Sequence, residues 1–253
     1  VRRSGMRDTC IVSIMRGRDY ENELGARLLA NKRAWCERCG YRCILSNQTF
    51  TEKHGRSPHW DKLLLLLESL HTCGTSMWVD ADTVVRRPFA VPLRAPSHVG
   101  AARDYGGFNS GVMMFARSHQ AKRLLRLAWN QTRFAHGVWE QTALRAAMAA
   151  EPALQAGVRI YENIVSYPTF MPPFVKRNRT HLARAAPLYH VAGCFLLTRK
   201  LKRCHDWPGS EPERGRMNPT CANVDESLIG PRPLKTRDLH VDPSHGRRRP
   251  AAT

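Results

Sequence analysis

The chain has 253 residues, 42% of them hydrophobic, and 40 Lys and Arg against 21 Asp and Glu give a net charge of +19. That length fits one α/β domain, or a domain with a tail, and is enough to bury a proper core. Apolar runs such as Leu63 to Leu67 fall far short of the ~20 residues that a membrane span needs. The basic surplus is compatible with nucleic acid, a membrane surface or an anionic substrate. It is spread along the chain, with clusters such as Arg86-Arg87 and Arg247 to Arg249, and never alternates with aromatics as a single-strand binder would. We therefore expect no nucleic-acid partner and read most of the charge as solvated surface. The first residue is Val rather than Met and no secretory signal is recognisable, so any membrane attachment is expected through an N-terminal anchor upstream of this chain.

In chain order, Cys10 to Met15 is a short apolar run rich in β-branched residues, which predicts a buried strand. Glu21 to Cys39 carries Leu24, Leu28, Ala34 and Trp35 near helical spacing, with Gly40 as its stop, and Tyr41 to Leu45 predicts the next strand. Strand, helix and strand in this order predict a βαβ unit in a mostly parallel sheet. Ser57-Pro58 predicts a capped helix start, with the helix from Trp60 to His71 and Gly74 as its stop. Ser76 to Val79 is a further strand, ending at Asp80-Ala81-Asp82, and Gly111 to Phe115 is another apolar segment. Ser118 predicts the cap of a helix through Trp129, and a last helix is expected from about Val138 to Met148. Residues 160 to 190 read mostly as loops, and residues 205–253, rich in Pro, Arg and Asp without hydrophobic periodicity, as a disordered basic tail.

Eight cysteines are present, but Cys36-x-x-Cys39 has no second such pair to complete a four-cysteine zinc site, so lumenal disulfides or buried thiols are expected. Sequons begin at Asn47, Asn130 and Asn178 and lean toward the secretory pathway.

The sharpest chemical feature is the pair Asp80 and Asp82. Residues two apart on an extended segment share a side, so both carboxylates can converge on one hard cation, Mn²⁺ or Mg²⁺. The pair follows a strand, and ligands of open α/β sheets bind beyond the carboxyl ends of strands. Two carboxylates held close raise each other's pKa unless positive charge offsets them, and a metal-diphosphate complex supplies it. The bland alternative is a solvated acidic loop. Asp80-Ala81-Asp82-Thr83-Val84 also resembles the first motif of haloacid-dehalogenase phosphatases, which would need Lys235 with Asp238 or Asp242 as further motifs. A third alternative is a non-catalytic basic protein that binds glycan or nucleic acid.

The order of features around the acidic pair resembles glycosyltransferase family 34, the galactosyl/mannosyl transferase group that includes xyloglucan xylosyltransferases. Asn31-Lys32 followed by Cys39-Gly40-Tyr41, Trp60-Asp-Lys62, Trp78-Val-Asp80-Ala-Asp82, Asn109-Ser110-Gly111-Val112, Glu140-Gln141-Thr-Ala-Leu144 and His190-Val-Ala-Gly193-Cys194 are similar to its segments, in its order, over residues 9 to 204. The resemblance implies a GT-A fold, a Rossmann-like nucleotide-diphospho-sugar transferase domain at residues 1–204. It implies a retaining enzyme that moves a hexosyl or pentosyl residue from a UDP- or GDP-sugar to a glycan acceptor. Asp80, Asp82 and His190 are the implied metal ligands. Lys62, Ala81, Asn109, Ser110 and Gly193 join the aspartates at the donor. Gln141, Glu140 and Asp104 are the candidates for the catalytic group. The family usually places Lys directly after its H-F-V-G-C segment, where this chain has Phe195, with Arg199 or Lys200 as substitutes. Location in the Golgi lumen follows from the resemblance, and pairing into a homo- or hetero-dimer is left open.

Overall fold

The computed structural model describes residues 8–15, 23–48, 51, 54–104, 107–134, 140–166, 186–190 and 231–235. Its centre is a seven-stranded sheet built from β1 (Thr9–Ile14), β2 (Arg42–Ser46), β3 (Thr75–Val79), β5 (Val99–Asp104), β6 (Gly107–Ala116), β7 (Val158–Tyr161) and β10 (Pro231–Pro233). The strand order is β10-β7-β5-β6-β3-β1-β2. Strands β2, β1, β3, β5 and β7 run one way, and β6 and β10 run against their neighbours. A second, three-stranded sheet joins β4 (Thr83–Val85), β9 (Leu188–His190) and β8 (Val165–Ser166).

The helices follow the sequence pattern. Helix α1 (Glu23–Cys39) ends at Gly40, whose φ of 66° suits a residue without a Cβ. Helix α2 (Asp61–Thr72) buries Leu63, Leu66 and Leu70 on one side. Helix α3 (His119–Trp129) starts where Ser118 accepts a hydrogen bond from the backbone N–H of Ala121, and helices α4 (Glu140–Ala150) and α5 (Pro152–Gln155) follow. The strands alternate between two cores. Val12, Trp78, Met113 and Phe115 pack with α2, α3 and α4, whereas Ile11, Met77, Val79, Val112 and Met114 pack with α1 and the small sheet. Trp60, fully buried, belongs to the first of these cores.

Three expectations need correction. The helix expected at Ser57 opens with a single 3-10 turn at Pro58–Trp60, and Ser57 makes no side-chain cap; its carbonyl instead accepts from the Trp60 N–H at 3.0 Å. Helix α2 ends at Thr72, ahead of Gly74, whose bare Cα leaves room for the Asp8 side chain. The segments expected mostly as loop and as tail contain strands: the end of β7, β8 and β9 in the first, and β10, paired antiparallel with β7, in the second. Leu234 is buried in the core and Arg232 bonds Glu162, so residues 231–235 belong to the domain. The remainder of the expected tail, and residues 167–185, lie outside the described residues.

Disulfides Cys10–Cys73 and Cys36–Cys43 tie β1 to the end of α2 and α1 to β2. Cys39 is also disulfide-bonded, and among the described residues no cysteine is free. No helix among them is long and apolar enough to cross a membrane.

Candidate active site

The parallel strands point their carboxyl ends at one edge of the sheet, and the sequence motifs gather there. Strand β3 ends at Val79, so Asp80 is the first residue past it. Strand β6 runs the other way and therefore begins at this same edge. Val79 pairs with Val112, and the Asp80 N–H donates to the Gly111 carbonyl at 2.8 Å. Asn109 and Ser110, thirty residues away in sequence, thereby lie beside the acidic pair. Asn109 Oδ1 accepts from the Gly111 N–H at 2.8 Å and shapes that crossing.

Helix α4 starts against it. Ser110 donates its backbone N–H to Gln141 Oε1 at 2.7 Å and its hydroxyl to Glu140 Oε1 at 2.9 Å. Lys62 Nζ, from the first turn of α2, sits between the two acids, 3.2 Å from Asp80 Oδ1 and 3.0 Å from Glu140 Oε1. Burial lowers its basicity, but the two carboxylates together outweigh burial and hold the pKa above the ordinary lysine value.

A second buried lysine supports the pair from behind. Lys32 Nζ donates to the Ala81 and Thr83 carbonyls, both at 2.8 Å, and thus clasps the turn that carries Asp82. The neighbouring Asn31 exchanges two hydrogen bonds with the Val85 backbone. Lys32 is fully buried, and desolvation lowers its pKa to about 8 against the opposing pull of Asp82 and Asp80. Nothing in the sequence pattern marked Lys32 as part of the site; it was visible only as a letter in the Asn-Lys motif.

Three candidates are placed differently from the rest. Glu140 is 4% exposed and bonded to Lys62 and Ser110, with Oε2 left as a buried oxygen without a hydrogen-bond partner. That is the setting of a structural counter-ion, since a nucleophile must reach substrate. Asp104 and His190 are placed by their backbones only: Asp104 ends β5, and His190 pairs with Thr83, the residue after Asp82. Gly193, Phe195, Arg199 and Lys200 lie outside the described residues.

Among the described residues no three His, Cys, Asp or Glu side chains converge as a metal-holding group. The donor set nonetheless fits a hard divalent cation. Asp80 and Asp82 provide carboxylate oxygens, with the ammonium groups of Lys62 and Lys32 beside them. The offset for the acidic pair, assigned above to a bound cation, is therefore supplied in part by two lysines.

Of the residues the phosphatase alternative needs, Asp238 and Asp242 lie outside the described residues. Lys235 follows β10 at the sheet edge, four strands from β3 in the order above, or roughly 19 Å at ordinary strand spacing.

Comparison with solved structures places this architecture. A glycosyltransferase involved in glycosylation of the major capsid of PBCV-1 superimposes with a TM-score of 0.55 at 14% identity, over 73% of this chain and 93% of that one. The galactosyltransferase LgtC, solved with donor and acceptor sugar analogues, gives 0.52 at 14% identity, over 79% and 92%. The fold is that of the GT-A glycosyltransferases. No family model matches the chain, and no curated protein sequence matches it. The edge that carries Asp80, Asp82, Ser110 and Gln141 is the one at which the parallel strands of this fold end.

Proposed function

We propose that the chain is a retaining glycosyltransferase of the family 34 type, which moves a hexosyl or pentosyl residue from a UDP- or GDP-sugar to a glycan acceptor. The observation that carries this reading is the meeting of Asp80, Lys62, Ser110, Glu140 and Gln141 in one bonded cluster at that edge of a GT-A fold. These residues come from the end of β3, α2, β6 and α4, distant in sequence and joined by hydrogen bonds and ion pairs at that edge.

Asp80 and Asp82, with His190 as third ligand, would hold Mn²⁺ or Mg²⁺. Held there, the ion would supply positive charge to offset the charge that develops on the diphosphate as the sugar–phosphate bond breaks. The chain's own residues do the rest. Lys62 bonds Asp80, and Lys32 clasps the turn that carries Asp82. Ser110 and Asn109 line the sugar. Gln141 spends its carbonyl oxygen on Ser110, so what it offers substrate is its NH₂ group, a donor. A hydrogen-bond donor beneath the sugar suits front-side transfer. The acceptor oxygen bonds the anomeric carbon on the face the diphosphate leaves, and the acceptor proton passes to the departing phosphate oxygen. Glu140, as counter-ion of Lys62, is set aside as nucleophile.

Residence in the Golgi lumen is part of the proposal. It is supported by the Cys10–Cys73 and Cys36–Cys43 disulfides, which persist in oxidising compartments. Released nucleotide from a panel of UDP- and GDP-sugars, with and without Mn²⁺, tests the activity. Metal-dependent release supports transfer chemistry. Salt-sensitive polyanion binding that ignores both metal and nucleotide sugar would favour the basic binding protein instead.

A further inference from the structure

We propose that Trp78 is a positioning residue for the cation taken by the donor site, a proposal that rests on the reading above. Trp78 and Asp80 lie two apart along the same extended segment and so share a side. The indole Nε1–H donates to Asp80 Oδ1 at 2.6 Å, and Lys62 Nζ reaches the same oxygen at 3.2 Å. The ammonium also lies over the indole, 5.4 Å from the ring centroid. Trp78 is 3% exposed and packed in the core under α2, so its ring is held in place and its N–H stays aimed at the part-buried Asp80 carboxylate.

An indole has one N–H and no acceptor, so Trp78 can direct a ligand but never be one. With two donors on Oδ1, Asp80 cannot close on a cation through both oxygens without breaking one of those bonds. It enters the coordination sphere as a one-oxygen ligand with its plane already set. Phe would fill most of the same core volume. Among apolar plates, only Trp also supplies the hydrogen that orients the carboxylate. Outer partners of this kind typically change metal affinity about 10–100-fold when removed.

The test is Mn²⁺ uptake, read from the loss of the free-ion electron paramagnetic resonance signal with saturating UDP and, separately, GDP. The proteins are wild type, Trp78→Phe and Asp82→Asn, each with its melting temperature recorded. Trp78→Phe is expected to weaken Mn²⁺ about 10–100-fold while it remains folded. Because Phe leaves part of the core unfilled, a second variant carries β-(3-benzothienyl)alanine at position 78, which keeps the indole outline and lacks only the N–H. It is expected to weaken uptake to the same degree with an unchanged melting temperature. Wild-type uptake that is lost in Asp82→Asn but kept by the benzothienyl variant overturns the role of Trp78 and leaves the donor site standing. No uptake by folded wild type with either nucleotide overturns the donor-site reading and this proposal together.

Discussion

Lys62 Nζ lies 3.0 Å from Glu140 Oε1 with both side chains 5% exposed, so the acid that heads α4 is the counter-ion of a buried lysine. Removing one member of a buried pair leaves an uncompensated charge, which costs about 3–5 kcal/mol. Glu140→Ala should therefore lower the urea midpoint strongly. Glu140→Gln, which keeps an acceptor for the Ser110 hydroxyl, should lower it less. A wild-type midpoint for Glu140→Ala would contradict the counter-ion assignment.

Gln141 has a different task. Its carbonyl oxygen holds the Ser110 N–H, and its NH₂ group is assigned to the sugar. Gln141→Ala should leave nucleotide binding near wild type and reduce transfer roughly a hundredfold, the usual scale for misplaced substrate. Single-turnover rates measured beside nucleotide affinity separate the two effects. Equal losses in both would mean that Gln141 acts on the fold of β6 alone.

Lys32 makes a pH prediction. Its folded pKa is about 8 against the ordinary 10.5. Between those values the unfolded chain keeps a proton that the folded chain has lost, so this group makes stability rise with pH across that window. The rise is at most about 3 kcal/mol. Lys32→Met should remove it. Urea midpoints of both proteins from pH 7.5 to 10.5, in chelator, give the difference, and parallel curves would refute the assignment.

The Cys10–Cys73 bridge closes β1 onto the end of α2, just behind the site helix. Replacing both cysteines by Ser should cost about 2–5 kcal/mol, read as a lower melting temperature. The nucleotide affinity of the folded fraction should not change, because neither sulfur reaches the acidic pair.

Much of this site was legible in the sequence because its parts follow local rules. Asp80 and Asp82 are marked by their place after an apolar strand, Ser118 by its capping role, and Asn109-Ser110-Gly111 by the motif. What the sequence could not give is the meeting of distant parts. The reversal of β6 brings Ser110 beside Asp80, and no local pattern states strand direction. Lys62 is marked as a donor candidate by the Trp60-Asp-Lys62 motif, but its place between two buried acids is set by the fold. Lys32 was hidden for the same reason, since its partners are main-chain carbonyls 49 and 51 residues away. Strand β10 was missed because two prolines flank Arg232, a pattern that reads as loop and is tolerated only at a sheet edge.

The central claim is that Asp80 and Asp82 form the donor site of a metal-dependent glycosyltransferase. The most direct measurement compares nucleotide release and binding for wild type and Asp82→Ala, across UDP- and GDP-sugars, with and without Mn²⁺. The account predicts that one nucleotide is bound and released only with metal, and that Asp82→Ala loses both effects while its melting temperature in chelator stays near wild type. Metal-independent release, or full activity in Asp82→Ala, would contradict it.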